Sequence, residues 1–170
     1  MADYIPTIVI DTVIEKLAAF IAPFIPGGEV VRAQVNRVAM PANPCAILTE
    51  LLGVDLCIPY LDPTITAETA TIKGPTRIDV QIDFYGPLAG NYCKAVQAAF
   101  RSQWAYGQFP ANIRPLYTSD GVQSPLLTGE QQYESRWTLT ASMQYNPTVT
   151  VPQQSANALA TNIVDAVDVG

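Results

Sequence analysis

The chain has 170 residues, 49% hydrophobic and only 14% charged, with nine basic and fifteen acidic residues for a formal net charge of −6. This length suits one domain, and the absence of any Lys/Arg cluster excludes tight binding to a nucleic-acid backbone. The absence of histidine removes the usual general base near neutral pH, and with it the Ser–His and Cys–His nucleophile pairs.

Charge at 14% lies well below the ~25% of ordinary soluble domains, so part of the surface is expected to be buried against partners. Cys45, Cys57 and Cys93 form no CxxC, so no zinc or redox motif is readable. They are expected to be small buried hydrophobes in a reducing compartment. The opening MADYIPTIVIDTVIEK carries Asp3 and Asp11 ahead of its first base, the wrong sign for a signal peptide. No apolar run reaches the ~20 residues of a membrane helix, so assembly in the cytoplasm is expected.

Residues 7–21 carry apolar side chains at Ile10, Val13, Ile14, Leu17, Ala18 and Ile21, which is helical spacing. Pro23 and Pro26 stop this helix and Gly27–Gly28 turns the chain. Residues 29–40 read as a strand, broken by Pro41 and Pro44. Residues 46–52 read as a second strand, with a turn near Gly53 and a continuation through 56–58. Residues 59–70 mix prolines, threonines and acids and read as a loop. Over 77–85, Ile78, Val80, Ile82 and Phe84 alternate with Arg77, Asp79, Gln81, Asp83 and Tyr85, the pattern of an antiparallel strand with one face on a core.

Gly86–Pro87 ends that strand, and residues 88–106 read as the main helix, with Ala89, Tyr92, Val96, Ala99 and Phe100 as its stripe. Residues 113–118 form a short strand and 125–129 a turn. The longest alternation runs over 131–145, with Tyr133, Trp137, Leu139, Ala141, Met143 and Tyr145 on one face. Such a strand would span roughly 50 Å, against a radius of gyration of ~15 Å for a compact chain of this size. One end is therefore expected to project and to invite pairing with another chain. The tail from 148 to 170 has no Lys or Arg and reads as an arm, with 158–169 open between helix and strand.

Candidate chemistry is sparse. Asp79 and Asp83 share a strand face, but four residues put them ~13–14 Å apart, beyond the ~5–9.5 Å of paired glycosidase carboxylates, so a solvated or interface face is expected. Glu134 and Arg136 share the polar face of the long strand. They suit a salt bridge within or between subunits, or an ordinary exposed pair. Gly86-Pro-Leu-Ala-Gly90 before a helix lacks the Gly-Lys-Ser/Thr of a phosphate loop and reads as a strand-to-helix turn. Trp104, Tyr106 and Phe109 at the helix end are either core or anchors of a subunit interface. No catalytic residue, cofactor or metal is expected. Acidic side chains could line a channel that keeps DNA from sticking.

The run RIDVQIDFYGPLAGNYCKAVQAAFRS, followed by IRPLYTSDGVQSPLLTGEQQYESRWTLTASMQYNP, resembles the phage neck and tail terminator proteins. The shared pattern is a strand ending in Asp83-x-Tyr85-Gly86, an Ala/Phe-striped helix, then Pro125–Thr128 and Glu130–Trp137, the latter closing on Glu-x-Arg-Trp, and a long strand ending in Asn146–Pro147. The likeness is good over 77–152 and holds only in outline before that. It implies an antiparallel sheet flanked by helices, and a homohexameric ring capping the head-proximal end of a phage tail. Such a ring stops tail tube growth, ends the sheath where the tail contracts, docks to a neck or connector protein, and lets DNA through its hole. Another phage ring component, of head-completion or tube-like kind, is the alternative; a small-molecule binding module or a hydrolase is further off.

The expectation is thus an α+β fold: an antiparallel β-sheet flanked by two main helices, with a projecting long strand or hairpin. Residues 1–152 would form one domain and 153–170 a C-terminal arm or extra element.

Overall fold

The computed structural model describes residues 6–33, 40–62, 69–124, 126–127 and 133–152; for 126–127 and 133–134 it describes the backbone alone. Helix α1 (Ile10–Ile21) buries Val13, Ile14, Leu17, Phe20 and Ile21, the stripe its spacing predicts. It begins three residues later than expected, and a 3-10 turn (Ala22–Phe24) with Pro23 inside it ends it. Strand β1 (Glu29–Arg32) follows; residues 34–39 of the predicted 29–40 strand lie outside the described set. Strand β2 (Cys45–Asp55) is longer than expected and runs straight through Gly53.

The expected loop at 59–70 is corrected: Tyr60–Leu61 (β3) and Thr69–Lys73 (β4) are strands. Local sequence hid them because β4 is held by a strand from the far end of the chain. Strand β5 (Thr76–Tyr85) leads through Gly86, at φ +111°, into helix α2 (Ala89–Phe100). Only glycine takes that φ without strain.

The predicted helix 88–106 is broken after Phe100. Ser102 Oγ donates to the Ala99 carbonyl at 2.6 Å and Ser102 is extended, so a short α3 (Gln103–Tyr106) starts on a new axis. The remaining strands are β6 (Ile113–Thr118), β7 (Val122–Gln123), β8 (Leu126–Leu127), β9 (Tyr133–Glu134), β10 (Arg136–Tyr145) and β11 (Thr148–Pro152). The predicted 131–145 strand is thus interrupted at Ser135. The expected arm from 148 is a paired strand as far as Pro152, while 153–170 lie outside the described residues.

The main sheet has the order β1-β2-β5-β10-β6, with β7 also on β10. All its pairs are antiparallel except β1 with β2. Helices cover one face. Ile78, Val80, Ile82 and Phe84 are fully buried there against the α1 and α2 stripes, with Leu139, Ala141 and Met143 of β10 alongside. Burying each large side chain contributes about 1.5–3 kcal/mol, so this α/β two-layer core dominates stability. The fold is α+β, as expected.

The sheet does not stop at the core. Tyr85 pairs with Arg136 at one end of the β5–β10 ladder and Thr76 with Tyr145 at the other. Beyond Gly74–Pro75 and Asn146–Pro147 the ladder resumes in unbroken register, from Lys73 with Thr148 to Thr69 with Pro152. These ten and five residue pairs, with the two positions between them, make one ribbon about 55 Å long. At the other end, β7–β10 and β8–β9 keep one register through the Ser124 and Ser135 break, where Ser124 N–H donates to the Arg136 carbonyl at 2.9 Å. β5 ends opposite Arg136, so this hairpin runs on past its neighbour, the projection that strand length predicted.

Candidate assembly surfaces

The face of the sheet away from the helices carries the polar half of each alternating strand. Asp83 on β5 sits directly across from Thr138 on β10 and diagonally from Arg136. Its carboxylate accepts from Arg136 Nη2 at 2.9 Å and Nε at 3.2 Å, from Thr138 Oγ1 at 2.5 Å and from Gln81 Nε2 at 2.8 Å. The Arg136 guanidinium also lies 5.9 Å from the Tyr85 ring centre. The hydrogen bond to Asp83 raises the Arg136 pKa above its ordinary value in spite of desolvation. Asp79, further along, accepts from Ser142 Oγ at 2.7 Å and pairs with Arg77 at 3.2 Å.

Of the expected solvated or interface face, the solvated reading is corrected at Asp83, which is only 4% exposed. A carboxylate there is tolerable because three donors replace its water. The Glu134 backbone pairs with Leu126, and its side chain is outside the described set. Arg136 bonds within the chain to Asp83, 53 positions away. The two motif halves, Asp-x-Tyr-Gly and Glu-x-Arg-Trp, thus meet in space and clamp the hairpin's base to β5.

The aromatic cluster at the helix end splits. Phe109 is 5% exposed and stacks on Phe20 at 5.2 Å, so it belongs to the core of the chain itself. Trp104 and Tyr106 are 54% and 51% exposed, with Trp104 resting on Phe20 at 5.7 Å and Phe24 at 6.4 Å. Held from behind in this way, Trp104 presents a rigid aromatic face to solvent. The break at Ser102 produces this arrangement, since it turns Ala105 inward and leaves its neighbours out.

The sequence reading missed a second apolar surface. Leu51, Leu52 and Val54 on β2 are 39–51% exposed, and Ile58, Tyr60 and Leu61 beyond it are 49–89% exposed. The adjacent Leu51–Leu52 pair was the available signal, since neighbours on a strand point to opposite faces; here a bulge between Glu50 and Leu52 adds to it. Cys57 in this stretch is exposed, correcting the expectation of burial, whereas Cys45 and Cys93 are buried. Burial pushes the Cys93 thiol up to about 11, which suits packing and not reactivity.

Between α2 and the hairpin base lies a shallow groove of about 210 Å³, lined by Gly90, Cys93, Lys94, Gln97, Asp120 and Trp137. Asp120 at its rim accepts from Arg101 at 3.0 Å and from Gln97 at 2.8 Å. These bonds, Arg101's first, hold its carboxyl below the ordinary 3.8. A lowered carboxylate pKa adds stability above the unfolded value, and that stability is lost as pH falls through the folded one. Asp120→Asn should therefore lower the urea midpoint slightly at roughly pH 7, with the difference closing as pH falls through the lowered folded value. A gap unchanged at acid pH would remove the ion pair as its cause.

Among the described residues, no three His, Cys, Asp or Glu side chains gather where a metal ion could sit, and no helix is long and apolar enough to cross a membrane. The polar groups form ion pairs and hydrogen bonds along a sheet face, and the exposed apolar groups lie on strands and a helix end. Such surfaces suit association. No curated protein matches the chain. The phage neck terminator protein family matches it over residues 11–167, and the chain belongs to that family, a structural component of the phage neck and tail.

Proposed function

We propose that copies of this chain close into a ring, a hexamer as the family resemblance implies, at the head-proximal end of a phage tail. There the ring halts tail tube growth, and sheath growth where a sheath exists, and joins the tail to the neck or connector protein. The observation that carries this reading is the continuation of the sheet past the core at both ends, as a hairpin and as a three-stranded extension. Elements that leave their own core are suited to reach neighbours along the ring or along the tail axis.

In this reading Trp104 and Tyr106 are contact aromatics, with Phe109 supporting them from the core. Glu134 rides on the hairpin that Arg136 anchors. The net charge of −6 keeps DNA moving through the lumen without adhesion. The domain ends at 152, and 153–170 are a C-terminal arm or extra element. Assembly takes place in the bacterial host cytoplasm and the product sits in the virion neck. Termination follows if one ring face matches the tube subunit and the other lacks its next docking surface.

Adding the purified protein to polymerising tail tube subunit is expected to shorten the tubes, measured by electron microscopy, in proportion to the amount added. Tube lengths that do not change across the titration would sink the proposal. Long polymers of the protein alone would instead favour a tube-like subunit.

A further inference from the structure

Four central strands of the sheet, β2-β5-β10-β6, alternate in direction, so β6 runs opposite to β2. Their register lines residues up in rows. Leu52, Asp79, Ser142 and Tyr117 share one row, and Asp55, Thr76, Tyr145 and Ile113 share another. On the β2 side, the pairing of β1 reaches Leu48 among the described residues, and the Ala33 N–H donates to the Leu48 carbonyl. From Glu50 to Asp55 the outer edge of β2 has no strand beside it among the described residues. Across the sheet, those same rows end on β6 from Thr118 to Ile113, whose outer edge is also free among the described residues.

The two free edges match in more than length. Leu51, Leu52 and Val54 on one side, and Leu116 and Tyr117 on the other, are 39–55% exposed. β2 carries Asp55 and no base, its Glu50 being already paired with Arg32 of β1 at 3.1 Å, and β6 carries Arg114 and no acid. Arg114 donates to the carbonyls of Tyr106 and Phe109 and meets no carboxylate among the described residues. Asp55 accepts from the Thr76 hydroxyl and meets no cation among them.

From this match we infer that the outer edge of β2 in one copy docks on the outer edge of β6 in the next, so that the ring is closed by a repeated sheet-edge seam. The inference rests on the ring reading above. The occupant is a second copy of this chain because the two edges differ, complement each other in charge, and occupy the same rows. A copy rotated about an axis along the strands presents β6 antiparallel to β2, which continues the alternation. Head-to-tail contact between unlike edges is what closes a ring. Pro115 has no N–H, so the backbone ladder across the seam is partial and side chains carry much of it. The same proline discourages indiscriminate edge pairing.

The test uses full-length protein and two variants. Leu52→Glu/Val54→Glu spoils the β2 edge, and Leu116→Glu spoils the β6 edge. All three positions are 39–50% exposed, so the fold should survive. Circular dichroism and melting check this, and Val54→Glu alone replaces the double variant if it melts early. By mass photometry, wild type is expected as a closed ring, each variant as monomer, and their equimolar mixture as dimer, because one intact seam remains between unlike partners. Rings that persist in either variant, or a mixture that stays monomeric, overturn the seam and leave the ring standing. A wild-type protein that is monomeric with and without tube subunit overturns the ring and the seam together.

Discussion

Arg136→Met is expected to cost about 3 kcal/mol of folding stability, because it leaves a buried carboxylate without its cation. Asp83 is 4% exposed and cannot turn to water, so Thr138 and Gln81 would be its remaining donors. Asp83→Leu should cost less, since Arg136 keeps a side chain 26% exposed and can reach solvent. The double variant Asp83→Leu/Arg136→Met should recover much of the loss, because removing both charges also removes the desolvation penalty. Urea unfolding of the four proteins closes the cycle. Additive effects would mean that the pair does not act as a unit. The pair also anchors the hairpin, so Arg136→Met should terminate tubes less efficiently than its stability alone predicts.

Phe84→Ala is expected to cost about 3–5 kcal/mol, the range for a large side chain removed from a packed core. Phe84 is fully buried, between Ala46 on β2 and Trp137 on β10, on the helix-covered face. The neighbouring strands cannot collapse into the space without breaking their ladders. For a chain of this size that loss corresponds to a melting point lower by roughly 6–20 °C. Leu52→Ala, half exposed on the sheet edge, serves as control and should stay within about 0.5 kcal/mol of wild type in the monomer. A loss below about 1 kcal/mol at Phe84 would place the core elsewhere.

Much of the core was legible in the sequence, and the reason is local periodicity. Ile78, Val80, Ile82 and Phe84 alternate with polar residues, and period 2 can bury only one set. The α1 stripe repeats at helical spacing and can face only one way. The α+β class, the helix-striped core and the projecting end of the long strand all follow from such patterns read along the chain. Each of these depends on residues within a few positions of each other.

What the tertiary structure decided depends on partners far apart in sequence. Residues 59–70 read as loop because β4 owes its ladder to β11, some 75 positions later. Phe109 and Trp104 look alike in sequence, and the turn at Ser102 sends one inward and the other out. Asp83 and Arg136 were each visible as charges on polar faces, yet only register across two strands makes them one buried pair. The apolar edge of β2 could not be seen before knowing where β1 stops. Periodicity tells which side of an element is buried; which elements meet is set by long-range pairing that no local pattern encodes.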